Sequence, residues 1–217
     1  MSSYRDRDTR RGEPEARWVP RTRLGKMVAE GRVTSLSEIF QQGWKVREVG
    51  IVDFLLPDVK DEVIDISLVQ KQTDSGERSR FRALVAVGNE DGFVGIGIGK
   101  APRVRNAIEK GIADAKVSIA SVARGCGSWE CACGENHSLP FKVIGESGSV
   151  EVQLIPGPKG LGLVAGDTAK VVLRLAGIKD CLSKAFGSTQ TVVSFAYSTF
   201  FALQQTGRVM TAGDWVK

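Results

Sequence analysis

Two periods divide the chain. Over residues 63–69, Ile64, Ile66 and Leu68 alternate with Asp65 and Ser67, which predicts a half-buried strand. Thr73 to Glu77 reads as a turn, and Arg80 to Val87 alternates again, with Phe81, Ala83, Val85 and Val87 on one face and Arg80 and Arg82 on the other. A further turn at Asn89 to Gly92 leads into a strand from Phe93 to Gly99, so the three form an antiparallel meander. The period then lengthens. Pro102 opens a helix in which Val104, Ala107, Ile108, Gly111, Ala115, Ile119 and Val122 recur at helical spacing. Upstream, the run Thr34 to Glu38 offers a capped helix start for Leu36, Ile39 and Phe40, stopped by Gly43, with a loop-rich acidic connection around Pro57.

The second half repeats the mixture of periods. Leu139 to Glu146 and Ser149 to Ile155 read as strands joined at Gly148. Asp167 is placed to cap a helix carrying Ala169, Val172, Leu173 and Ala176, with Gly177 as the residue after its end. Ile178 to Ala185 reads as extended and Thr191 to Gln205 as helical. Helix, three antiparallel strands and a long helix make one two-layer α+β module, and a second α+β unit follows it. The division is a basic, largely extended amino arm at 1–33, a first domain at 34–125, a Cys/His connection at 126–138 and a C-terminal domain at 139–217.

Composition narrows the class. With 42% apolar residues in 217, the chain is large enough for a packed core. The longest uncharged run, Ala185 to Gly207, carries too many Ser, Thr and Gln residues for hydrocarbon, so no membrane partner is expected. The amino end shows no apolar leader, which points to a cytoplasmic setting with reduced thiols. A single histidine, His137, leaves little room for histidine-based acid/base chemistry.

The net charge of +5 is segregated. Residues 1–32 hold 9 basic and 5 acidic side chains, residues 33–70 hold 3 and 7, and residues 71–125 hold 10 and 6. An arm with Arg5, Arg7, Arg10, Arg11, Arg17, Arg21, Arg23, Lys26 and Arg32, followed by a basic module, suits a polyanion whose condensed counterions it displaces. On composition alone it equally suits a solvated tail. Arg78, Arg80 and Arg82 sit at alternate positions beside the Gly76 turn and near Lys71, so a strand projects all three to one side as a phosphate-binding patch.

Gly95, Gly97 and Gly99 precede Lys100, but Val94 stands where a phosphate loop needs its first glycine and Ala101 follows the lysine; the dinucleotide fingerprint fails at Lys100. No nucleotide cofactor is expected. Glycines at period two instead leave a bare stripe for close backbone packing, while Lys100, Arg103 and Arg105 around the helix start are candidates for phosphate contact. Pro156 to Gly162 forms a stiff loop presenting Lys159.

Cys126, Cys131, Cys133 and His137 fall within twelve residues. Thiolates and imidazole are zinc ligands, and a closed set of four would make a structural site with no open position for catalysis; an iron–sulfur cluster and free thiols are the alternatives. Cys181, alone on an expected strand, reads as a small buried residue.

Three segments then carry a family resemblance: Arg80 to Gly88, Gly95 to Ala101, and Leu154 to Gly160 together with Leu175 to Cys181. From about Leu36 to Gln205 the chain resembles the universal small-ribosomal-subunit protein five family in its archaeal or eukaryotic-type branch. The resemblance implies an α+β fold, with a double-stranded-RNA-binding-like αβββα domain followed by a small βαβ-containing α+β domain. It implies a structural, non-enzymatic, ribosome-bound protein touching small-subunit ribosomal RNA and neighbouring ribosomal proteins. Its location would be near the decoding region and the side where messenger RNA enters, where it would support assembly and accuracy. Carried over residue by residue, the basic turn corresponds to Arg78, Arg80 and Arg82, the strand-to-helix corner to Lys100 and Arg103, and the proline–glycine loop to Lys159. The long amino extension and the Cys126–His137 segment depart from the bacterial pattern. A zinc-dependent enzyme and a free-standing double-stranded-RNA-binding regulator are the competing readings: the closed ligand set disfavours the first, and the second leaves the C-terminal domain unexplained.

Overall fold

The computed structural model describes residues 18–131 and 133–208. The arm residues Arg5, Arg7, Arg10, Arg11 and Arg17 lie outside them. Three short helices come first, α1 (Arg23–Ala29), α2 (Leu36–Gln41) and α3 (Val49–Leu55). Ser35 Oγ accepts from the Glu38 amide while the Glu38 carboxylate accepts from the Thr34 amide, both at 3.4 Å, so α2 starts with the reciprocal cap its sequence announces. Two expectations fail here. Residues 23–33 are not an extended arm: Val28 and Val33 are buried in one cluster with Leu36, Ile39, Ile51, Val52 and Ile119, which makes α1 part of the first packed unit. And α3 stands where a loop was expected, because Ile51 and Val52 are fully buried in that same cluster.

Strands β1 (Lys60–Thr73), β2 (Gly76–Gly88) and β3 (Phe93–Ala101) form the meander, followed by helix α4 (Val104–Val117) and the short strand β4 (Ala120–Ser121), which pairs with Phe93 and Val94. Helix α4 stops at Val117 rather than running to Val122: Ser118 caps it, donating its hydroxyl to the Ile96 carbonyl at 2.6 Å, and the chain turns back along β3. Ile119 joins the α1–α3 cluster and Val122 the main core, so their apolar character serves other packing. A Cβ on Gly95, Gly97 or Gly99 would lie 2.2, 2.2 or 1.9 Å from backbone atoms of Ala115, Ala115 and Ala107. The bare stripe exists so that α4 can lie on β3. A bulge at Ile64 shifts the register of β1, leaving Ile66 and Leu68 opposite Ala83 and Phe81, yet 43% and 55% exposed.

The second unit contains β5 (Val143–Ser147), β6 (Val150–Pro156), β7 (Leu163–Val164), α5 (Asp167–Leu175), β8 (Cys181–Gly187) and α6 (Val192–Thr206), in the sheet order β5-β6-β8-β7. β7 is parallel to β8 with α5 between them, a βαβ unit inside an otherwise antiparallel sheet. Gly166 rather than Asp167 caps α5, and Asp167 occupies its first turn. The other end is as expected: Gly177 adopts φ +81°, its amide donates to Arg174 O, and the Ile178 amide donates to Leu173 O.

One core joins the two units. Leu84, Ala86, Val94 and Ile96, on the sheet face away from α4, pack in a single cluster with Val152, Leu154, Leu173 and Leu203.

Candidate nucleic-acid interface and metal centre

Cross-strand partners share a face of a sheet, as do residues two apart on one strand, so register alone assembles the cationic patch. Arg78 pairs with Lys71, Arg80 with Val69, and Arg82 with both Ser67 and Lys100. Arg78, Arg80, Arg82, Lys71 and Lys100 therefore project from the same face as Leu84 and Ala86, beyond the part that the second unit covers. Lys71, Arg78, Arg80 and Lys100, with Val69 and Gln70, line a cleft of about 350 Å³. Arg82 is steadied by Ser67, whose hydroxyl accepts from its Nε at 3.0 Å. None of these cations forms an ion pair among the described residues. Five cations crowded on one face without an ion-pair partner repel one another, and an external anion relieves that repulsion.

The other candidate cations are placed differently. Arg103 is the exposed N-cap of α4, and Arg105 is held by Glu109 at 3.0 Å in an exposed pair of little energetic weight. Lys159 lies in the loop between β6 and β7, paired with Glu135 of the connection at 2.8 Å. That hydrogen bond holds the Glu135 carboxyl below its usual range and the Lys159 ammonium above its own. Lys159 belongs to the surroundings of the Cys/His cluster rather than to the cleft.

The donor atoms of Cys126, Cys131, Cys133 and His137 all lie within 4.8 Å of one another, close enough to converge on one ion. An antiparallel bridge between Gly125 and Ser138 closes the base of their loop. His137 is buried, and Nδ1 donates to Asp180 Oδ2 at 2.8 Å, leaving Nε2 3.8 Å from Cys131 Sγ. A histidine whose second nitrogen is held by a carboxylate is the arrangement that orients a metal ligand. Asp180 is itself fixed: its Oδ1 accepts from the Gly160 and Gly162 amides at 3.1 and 2.8 Å, and its amide, like that of Lys179, donates to the His137 carbonyl. The Lys159 amide, donating to Cys131 sulfur, and the adjoining Cys133 lower the Cys131 thiol to about 6. The Glu135 amide favours the Cys133 thiolate, but Cys131, burial and Cys126 outweigh it and push that thiol up. Cys181 stands apart, buried in the main core, with its thiol pushed up to about 12 by burial.

Sequence reasoning missed Asp180 and Glu135. Asp180 lies 43 residues from His137, and only the fold brings the two together.

Family models described as ribosomal protein S5, N-terminal domain, and ribosomal protein S5, C-terminal domain, match residues 59–123 and 145–211. The Cys/His loop falls between them. The chain is 58% identical over 200 residues to the small ribosomal subunit protein uS5 of Ignicoccus hospitalis, spanning 92% of this chain and 95% of that one. It is also 58% identical over 200 residues to the Staphylothermus marinus protein of that name (92% and 94%) and 53% identical over 198 residues to that of Thermofilum pendens (91% and 98%).

Proposed function

The chain belongs to the ribosomal protein S5 family, and from this membership we propose that the cationic face of its first sheet is where it grips ribosomal RNA. It is a structural protein of the small ribosomal subunit, not an enzyme, and it works ribosome-bound in the cytoplasm, among ribosomal RNA and neighbouring ribosomal proteins. The observation that carries the RNA contact is the convergence of Lys71, Arg78, Arg80, Arg82 and Lys100 on one face with no acidic partner among the described residues. Phosphate oxygens supply the missing charge, and guanidinium groups meet them in bidentate geometry. Arg103 and Arg105 extend the contact around the start of α4. The order α3, β1 to β3, α4 supports the likeness to a double-stranded-RNA-binding domain. We place the protein near the decoding region and the side where messenger RNA enters, supporting assembly and accuracy. A free-standing regulator would have no use for the second unit, which shares the first unit's core.

We further assign the Cys/His cluster to a structural zinc held by Cys126, Cys131, Cys133 and His137. Three thiolates and one imidazole suit zinc, and a closed set supplies a cross-link rather than catalysis. The ion would tie the connection between the units to the Lys159 loop and to Asp180.

Changing Arg78, Arg80 and Arg82 together to alanine tests the RNA reading. Sedimentation of lysates from cells carrying the variant should show it shifted from the small-subunit peak to free protein, with fewer mature subunits. Normal incorporation would overturn the assignment of this face.

A further inference from the structure

A second cationic surface lies in the amino-terminal helices, away from the sheet. A groove of about 650 Å³ opens between α1 and the loop joining α2 to α3. Its apolar lining is Leu24, Met27 and Trp44, and its charged lining is Arg23, Lys45 and Arg47. The Trp44 side chain is a large aromatic left 37% exposed although its own backbone is fixed, its amide donating to the Ile39 carbonyl at 3.0 Å. Val46, 6% exposed, anchors the loop between the two exposed cations Lys45 and Arg47. The acidic residue next in sequence, Glu48, is engaged elsewhere: it accepts from Trp18 Nε1 at 3.1 Å and from the Arg21 amide at 3.0 Å. Although burial opposes its charge, these bonds and those from Thr22 hold its carboxyl below the usual range. Arg23, Lys45 and Arg47 form no ion pair among the described residues.

A partly open indole carried on a fixed backbone and ringed by unpaired cations differs in kind from the sheet face, whose cleft has no aromatic lining. Cations alone suit phosphates of any strand. An aromatic platform is satisfied by the flat face of an unstacked base, which a duplex withholds and a single strand offers. An acidic peptide would answer the charges and leave the indole without a planar partner. We propose that this groove is a second RNA site, taking an unpaired, single-stranded stretch with a base stacked on Trp44 and the flanking phosphates on Arg23, Lys45 and Arg47. The inference rests on the reading of the chain as an RNA-bound protein and adds to it the site and the strand state.

The test measures binding of the full chain to a short oligouridine and to an A-form RNA duplex across a range of salt. Trp44→Ala should weaken oligouridine binding roughly tenfold with an unchanged salt slope, while Trp44→Phe, which keeps a ring, binds nearly as the native chain does. The combined change Arg23→Ala, Lys45→Ala and Arg47→Ala touches no core residue and should lower the slope by about 2, since each single-strand phosphate contributes about 0.7. Oligouridine binding by these variants equal to that of the native chain overturns the proposal, and if the Arg78, Arg80 and Arg82 variant still loses duplex binding, the reading of the sheet face survives that failure. A native chain that binds neither RNA defeats the groove and the sheet-face reading together. In native small subunits, ultraviolet cross-linking should leave a nucleotide adduct on the peptide containing Trp44; cross-links from that peptide to protein alone would assign the groove to a protein partner.

Discussion

His137 can offer Nε2 to three thiols because its other ring nitrogen is occupied by Asp180, and Asp180 can do this because two glycine amides of the neighbouring loop hold its second oxygen. Asp180→Asn keeps the shape and removes the charge that fixes the imidazole. Zinc affinity, measured by competition with a chromophoric chelator, should fall 10- to 100-fold. An unchanged affinity would remove Asp180 from the site, and a purified, reduced native chain without metal would remove the site altogether. The thiols give a second readout. The thiolate is the reactive form, so in the metal-stripped chain Cys131 alkylation should rise with pH through about 6 and level off above it, because its depressed thiol is already ionised near neutrality. Cys181, buried with a thiol near 12, should stay unlabelled until the chain unfolds. Peptide mass spectrometry after brief iodoacetamide treatment separates the two. The four donors were legible in the sequence because they cluster within a short loop. Their outer support was not, since nothing in local spacing links Asp180 or Glu135 to them.

The packing of helix α4 on strand β3 shows where sequence reading is reliable. Glycines at period two on β3 face Ala107, Gly111 and Ala115 at period four on α4, and two such stripes of small residues admit one geometry, backbone against backbone. Gly97→Ala would put a methyl 2.2 Å from the Ala115 amide nitrogen. The helix must lift or tilt to accept it, at a cost of about 1–3 kcal/mol, read as a lowered urea midpoint; an unchanged midpoint would mean that α4 does not lie flat on the sheet. Helix α3 shows the opposite case. Its seven residues include Gly50 and three β-branched side chains, have no side-chain cap, and precede Pro57, so local propensity is poor. What forms it is tertiary: Ile51 and Val52 are buried, and a Cβ at Gly50 would sit 2.4 Å from the Trp18 ring. The over-long expectation for α4 has a related cause. Ile119 and Val122 keep helical spacing by coincidence while serving two different cores.

The two units are halves of one folded body, and this decides how the RNA-facing surface is made. A single face of the first sheet is divided along its strands: Leu84, Ala86, Val94 and Ile96 are covered by the second unit, while Arg78, Arg80, Arg82 and Lys100 emerge beyond it. The turn between β2 and β3 also closes the end of α5, the Glu90 and Gly92 amides donating to the Leu175 and Ala176 carbonyls at 2.9 and 3.1 Å. The C-terminal carbonyls of a helix in one unit are thus satisfied by backbone from the other, which neither could provide alone. Alternation in β2 showed which residues share a face, but not that both faces are buried over Ala83 to Val87, because that depends on a partner distant in sequence. Leu84, 1% exposed at this junction, is the residue to change. Leu84→Ala should remove about 2–5 kcal/mol of stability from the whole body rather than from its first half. Hydrogen exchange followed by mass spectrometry should then show amides of β3 and of β6 losing protection together. If β3 opened while β6 kept its native protection, the units would be independent, and the cationic strip would owe its position to the first sheet alone.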